Sequence, residues 1–530
     1  MGNLAMHEPT GPKIESSTQM AAMFLARTIE RAAAWQARLQ QSPHELETIE
    51  REVQAQFMLG AGMFVSGLLA VVLAMPELAE ASEQMRRNFQ QPLSPGRNRT
   101  VKVSLLGGFV MWVTSLYCQP VRGKTPAETA AVGLHVELAQ FGFGKGITPG
   151  LQSRVARQAA LCPSLQLACD ELKRDGLSLN VKAVRRIANQ CGENLLQLRK
   201  TRLLQWRTGT LPAGTELTGQ RVSVQIDGGR TKLRERLQAA KHGAEPLNEE
   251  GLVIENQPGR SKRRTRRTFA AEWREPKLLR IYVHDELGRM VKKSQAVIDG
   301  TFLGPDAIAE LTAMHLHRLG AAQAASITFV GDGAIWIWER VEQILSQANI
   351  PAGVSIHQVL DNCHASHHIA LALAAMGLTE KERMPLYREL RTQLRNGQWR
   401  EVVSQLEDLL AGYPECEGMA TEIAYLRKHG EAGRLEYARF RELGLPLGSG
   451  AIESSIRRVI NLRLKSNGTF WLKEHAESML QLRALVISGR WDEDLRVMRA
   501  MNSEQSQLDW TWTPRCMKKV EATSQECLQP

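Results

Sequence analysis

SITFVGDGAIWIWERVEQILSQANIPAGVSIHQVLDNCH, residues 326–364, is the stretch on which the reading of the fold turns. It opens with a short apolar run ending in Asp332 and continues through a helical pattern at 335–346. A second short run, 355–361, ends in Asp361. Short β-branched runs bounded by turn residues read as strands, so the unit is strand, helix, strand. Upstream, VSVQID (222–227), LLRIYVHD (278–285) and RMVKKSQAVID (289–299) read as three more strands, and residues 305–319 as a helix. Three strands, a helix, a strand, a helix and a strand predict an α/β core built on a mixed sheet. Asp227, Asp332 and Asp361 each close a strand, and strand C-termini line the mouth of an open α/β sheet. If the first and fourth strands are neighbours, Asp227 and Asp332 crowd together. Two such carboxylates repel unless a cation holds them, and Mg²⁺ favours carboxylate oxygen.

Working outward, residues 366–445 are helical throughout, and GLPLGSGAIESSIRRVINLRLKSNGTFW (444–471) begins another helix after its glycines. Ile452, Ile456, Val459 and Ile460 form an apolar stripe. Glu453, Arg457, Asn461 and Lys465 follow at steps of four as a polar edge beside it. Glu453 is the third candidate metal ligand, and the alternative is a surface pair of Glu453 with Arg457.

Residues 1–95 read as a helical region, with an uncharged run at 57–75. Its length just suffices to span a bilayer, but its glycines and acidic flank favour a buried core helix and no membrane association. Residues 90–100 read as a linker and 101–117 as a β-hairpin around Gly107 and Gly108. Two helices, 164–174 and 178–191, joined through Gly176 and capped by Ser178, outline a helix-turn-helix within a 96–206 region. Lys182, Arg185 and Arg186 face away from its apolar stripe, as contacts to DNA require. Either DNA contact or an ordinary helical hairpin fits. A second basic feature lies between the first two strands. Residues 259–280 carry nine Lys or Arg against two Glu, with Arg263, Arg264, Arg266 and Arg267 at the centre. The uses of such a run are phosphate binding or plain solvation.

The chain has 530 residues, 67 Lys and Arg against 56 Asp and Glu, and a net charge of +11. That balance favours a polyanionic partner. Its eight cysteines include no CxxC pair, which suits a reducing cytoplasm over a disulfide framework. With no second Cys or His pair nearby, Cys363, His364, His367 and His368 make a poor zinc site.

Five motifs in order resemble the insertion-sequence transposases of the Kra type, relatives of the Mutator group. They are IDGGR (226–230), WREPKLLRIYVHDELGR (273–289), VGDGAIWIW (330–338), LDNCHASHH (360–368) and LGSGAIESSIRRVINLRLKSNGTFW (447–471), with ALVISGRWD (484–492) following. The resemblance implies a ribonuclease H-like catalytic core over 220–365 and 446–492, a helical insertion at 366–445 and a tail from 493. It implies Asp227, Asp332 and Glu453 as a DDE triad holding Mg²⁺, with Mn²⁺ as substitute. Asp361 and His364 resemble the D-x-x-H element that supports the second Asp. The implied activity is strand cleavage and transfer at the ends of a mobile element. The partners would be double-stranded DNA and further copies of the chain. The competing expectation is a non-catalytic DNA-binding descendant of a transposase.

Overall fold

The computed structural model describes residues 17–87, 93–94, 96–119, 133–144, 146–236, 269–412, 415–465 and 470–504. Arg263, Arg264, Arg266 and Arg267 lie outside them. The described chain falls into two compact units. One takes residues up to Gln158, Gln166–Ile187 and those from Leu495; the other takes Ala159–Leu165 and Ala188–Asp494.

The first unit begins with α1 (Ser17–Gln41), α2 (Leu46–Leu73) and α3 (Pro76–Arg87). In α2 the small residues Gly60, Gly62, Ser66 and Gly67 turn inward, while Phe57, Phe64, Val65 and Leu68 are exposed. The buried core helix expected here is therefore only partly enclosed: its glycines make the contacts because they permit close approach. It is one described helix long and apolar enough to cross a membrane. Next come β1 (Arg97–Ser104) and β2 (Val110–Cys118), the expected antiparallel hairpin but begun at Arg97, within the segment read as a linker, with β3 (Leu134–His135) beside it. Gly107 and Gly108 supply the turn with φ of 94° and 81°, a region open to glycine at little cost. After α4 (Val136–Gln140) and α5 (Pro149–Leu161), α6 (Leu165–Arg174) and α7 (Val181–Arg207) form the expected helix pair. Two details differ. Asn180, not Ser178, caps the second helix, its Oδ1 accepting from the Ala183 amide at 2.9 Å. That helix also runs on past Gly192 to Arg207. A Cβ at Gly192 would come within 2.7 Å of Ser478, so the glycine serves close packing rather than termination. Val184, Ile187 and Ala188 are buried; Lys182, Arg185 and Arg186 are exposed.

The second unit holds β4 (Arg221–Gly228), β5 (Thr231–Arg236), β6 (Phe269–Arg274), β7 (Lys277–Val283), β8 (Val297–Thr301), α8 (Pro305–Leu319) and β9 (Ser326–Gly331). Then follow α9 (Ile335–Trp338), α10 (Val341–Gln347), β10 (Ser355–Leu360), α11 (Asn362–Ala375), α12 (Glu380–Arg395), α13 (Trp399–Ala411), α14 (Glu417–Glu431) and α15 (Tyr437–Glu442). The unit closes with α16 (Gly450–Ile456), β11 (Trp471–Leu472), α17 (Lys473–Ser488) and α18 (Trp491–Glu504), whose last residues belong to the first unit. The fold is mixed α/β. Its five-stranded sheet runs β10-β9-β4-β7-β8, with β4, β9 and β10 parallel and β7 antiparallel to β4 and β8.

Period-two alternation assigns the two faces of β4. Val222, Val224 and Ile226 enter one apolar core with Ile308, Leu311 and Met314 of α8. Ser223, Gln225 and Asp227 face the other way. There Gln225 bonds the Gly448 carbonyl at 3.1 Å and the Ile452 amide at 2.9 Å, seating α16 against that face.

The third strand is shorter than the sequence pattern indicates. Residues 289–296 are not strand: the Asp285 carboxylate accepts from the Leu287 and Arg289 amides at 2.9 and 2.8 Å and closes one turn, and the Ser294 amide bonds the Val291 carbonyl at 3.2 Å to close a second. The helix expected at 335–346 is likewise broken into α9 and α10 near Arg340. A second small sheet, β11-β5-β6, extends the chain beyond β4 and β7. The sequence patterns gave no sign of it.

Candidate active site

Three strand ends meet at one edge of the large sheet. The parallel ladder of β4 with β9 is paired as far as Gln225 and Val330, and two further residues along the same register bring Asp227 beside Asp332. Asp361 follows β10 directly, and its amide bonds the Gly331 carbonyl at 2.8 Å. All three acids thus stand in adjacent positions, on residues the sheet itself aligns.

Burial and the neighbouring Asp332 charge push the Asp227 carboxyl up to about 6, with Glu453 adding to the rise. The Gly228 amide, donating to Asp227 Oδ1 at 2.6 Å, works against it. Asp332 Oδ1 accepts from the Ala334 amide at 3.0 Å, and both aspartates are half-buried. Asp361 is different in kind. It is 2% exposed, caps α11 by accepting from the His364 amide at 2.9 Å, and also accepts from the Ser449 amide. Burial alone would raise its carboxyl, but these hydrogen bonds, from His364 first, hold it well below the usual range. The hydrogen bond and charge of Asp361 raise His364 in turn, and Nδ1 lies 3.5 Å from Asp361 Oδ1.

Glu453 is exposed on the first turn of α16, and the Ser449 hydroxyl donates to its Oε1 at 2.9 Å. Ser449 therefore links Asp361 through its amide to Glu453 through its hydroxyl. Beyond Ile456 the helix widens: the Leu462 amide reaches the Arg457 carbonyl, an i to i+5 bond of 3.0 Å. Such widened turns recur at functional sites. Ile452, Ile456, Val459 and Ile460 are buried as the stripe requires, and Arg457 and Lys465 are exposed. The steps of four expected for the polar edge do not persist past Arg457, because the wide turn changes the spacing.

Among the described residues, one trio of potential ligands lies with its atoms mutually within 4.8 Å: Asp361, His364 and Glu453. Asp227 and Asp332 border this trio rather than belonging to it. The carboxylates suit a hard divalent cation, which would relieve the Asp332 repulsion that adds to burial in raising Asp227.

Sequence reasoning missed three positioning groups. Gln225 and Ser449 sit in segments that the patterns assigned to strand and to irregular loop. Tyr425 comes from α14 and donates its hydroxyl to the Asp332 carbonyl at 2.8 Å. Its ring stacks on His368 with centroids 3.6 Å apart, and His368 pairs with Glu422. Polar residues on long amphipathic helices carry no signal that tells such a contact from a solvated face.

Asp299, another strand aspartate, stands two strands away from Asp227 across β7. It is 2% exposed and bonded to Arg199 at 3.1 Å, His315 at 3.0 Å and the Gly300 amide at 2.7 Å. Burial opposes its ionisation, but the Arg199 charge and the His315 bond bring the carboxyl down to about 2. It belongs to a structural ion-pair cluster with Glu477 beside a cavity of about 20 Å³. No family profile, curated protein or solved structure matches the chain.

Proposed function

We propose that this chain is a DNA transposase of the DDE type, with a ribonuclease H-like core that cleaves and joins strands at the ends of a mobile element. One observation carries the reading. Asp227 and Asp332 end adjacent parallel strands, burial first and the Asp332 charge second hold the Asp227 carboxyl up at about 6, and Glu453 approaches from the helix packed on that face. Carboxylates forced together at a sheet mouth are the arrangement expected of a cation site for phosphodiester chemistry. The strand order, three antiparallel strands followed by two parallel ones with helices between, supports the ribonuclease H-like assignment.

In this reading Asp227, Asp332 and Glu453 hold the metal. When bound, Mg²⁺ or Mn²⁺ would supply Lewis-acid polarisation of the phosphate and of the attacking oxygen. Asp361 and Ser449 orient Glu453, and His364, half-buried with its charged form favoured, stands ready to meet phosphate oxygen. The exposed Arg457 and Lys465 extend the positive surface on the same segment. Double-stranded DNA is the proposed partner, with a homo-oligomer assembled on it.

The test is cleavage of DNA carrying the element's own ends. Asp227→Asn, Asp332→Asn and Glu453→Gln should each abolish metal-dependent cutting by more than about a thousandfold while leaving DNA binding intact. The three losses should not multiply, because the acids act on the same ions. A wild-type chain that binds these ends yet never cuts them with Mg²⁺ or Mn²⁺ would mark a non-catalytic descendant instead.

A further inference from the structure

β4 and β7 do not stop at the candidate site. Their antiparallel ladder ends at Gly228 with Lys277, and the chain resumes pairing at Thr231 with Arg274 as β5 and β6. The two ladders form one ribbon that runs on past Asp227. At about 3.3 Å per residue, Arg234 lies roughly 23 Å along it.

Alternation sorts this extension into two faces. Thr231 and Leu233 are buried, and Glu235 and Glu272 share their face. Glu272 pairs there with Arg274 at 2.6 Å, and Glu235 with Lys473 at 3.4 Å. On the other face Lys232 stands opposite Trp273, and Arg230 and Arg234 flank it at steps of two. Trp273 is 51% exposed and Phe470, beside β11, is 41% exposed. The Arg230 guanidinium lies 5.4 Å from the Trp273 ring centre. Arg234 lies 3.7 Å and Lys232 5.9 Å from that of Phe470. Two large rings exposed among three cations, with the acids on the reverse, are unusual for a merely solvated sheet.

We propose that this face of the β11-β5-β6 sheet binds an unpaired nucleic-acid strand, stacking bases on Trp273 and Phe470 while Arg230, Lys232 and Arg234 meet its phosphates. Sheet-borne aromatics among basic residues form a platform for single strands, because every unstacked base offers a π face and every nucleotide a charge. Duplex bases are stacked on one another and cannot use the rings. The proposal rests on the reading of the chain as a DNA-cutting enzyme, to which it adds where a strand freed near Asp227 would lie.

The experiment uses the full chain in EDTA, so that cleavage plays no part. Binding of a labelled oligothymidylate of about 16 nucleotides is compared with binding of a duplex of equal length. Trp273→Ala and Phe470→Ala should each weaken single-strand binding by roughly five- to 150-fold and leave duplex binding nearly unchanged. Trp273→Phe keeps a ring and should restore most of the affinity. Arg234→Ala should flatten the salt dependence by about 0.7 in log–log slope. Thermal melts of the ring variants, whose side chains are exposed, should match wild type. Unchanged single-strand affinity, or equal losses on single strand and duplex, overturns the proposal. Neither result bears on cleavage, and inactivity of the triad would leave strand binding at this face standing.

Discussion

Replacing Asp227 by Asn should stabilise this protein at neutral pH while destroying its proposed activity. The Asp227 carboxyl is displaced from 3.8 to about 6, mainly by burial and then by Asp332. Because the folded-state value lies above the unfolded one, the protonated form favours folding. That contribution is complete below about pH 3.8 and is lost as pH rises through about 6. At about 1.4 kcal/mol per unit the displacement corresponds to roughly 3 kcal/mol, and partial solvent access trims it to about 1–2 kcal/mol. Asn keeps the shape and can still accept from the Gly228 amide, yet carries no charge to repel Asp332. In EDTA, Asp227→Asn should therefore be more stable than wild type by about 1–2 kcal/mol near pH 8, with the difference closing toward pH 4. Denaturant titrations across this range measure it. Adding Mg²⁺ or Mn²⁺ should reverse the order, since only the wild type gains by binding; an ion at about 100 times its Kd adds about 2.7 kcal/mol. A pH-independent difference, or a variant less stable than wild type near pH 8, would refute the electrostatic account of the site.

Two further outcomes follow from positioning contacts and from the helix pair. Ser449→Ala keeps the amide bond to Asp361 but frees Glu453, so cleavage should fall about tenfold with stability changed by no more than about 1 kcal/mol; an unaltered cleavage rate would remove Ser449 from the site. Replacing the exposed Lys182, Arg185 and Arg186 by Ala should erase the preference for element ends over random DNA in competition binding; a preference that survives would place end recognition elsewhere in the chain.

Much of the fold was legible because its signals are local. The strands ending at Asp227, Asp332 and Asp361 and the helix Pro305–Leu319 follow from short apolar runs and turn residues, which report the period of the chain itself. The stripe of Ile452, Ile456, Val459 and Ile460 was equally plain, since burial at helical spacing needs no knowledge of the partner. Tertiary competition was not legible. Turns at Asp285 and Val291 delay the third strand to Val297, and the second helix of the pair runs past Gly192 to Arg207.

The sequence by itself determined which acids stand at strand ends, because a strand's end is written in its own residues. Only the tertiary structure decided that β4 lies between β9 and β7, so that Asp227 meets Asp332 while Asp299 is carried two strands away to Arg199 and His315. It also decided that Ser449 and Tyr425, hundreds of residues from Asp227 or nearly so, hold the neighbours of that carboxylate in place. The physical reason is the same in each case. Strand neighbours and long-range hydrogen bonds are chosen by how whole faces pack, and the residues that make them look locally like any others.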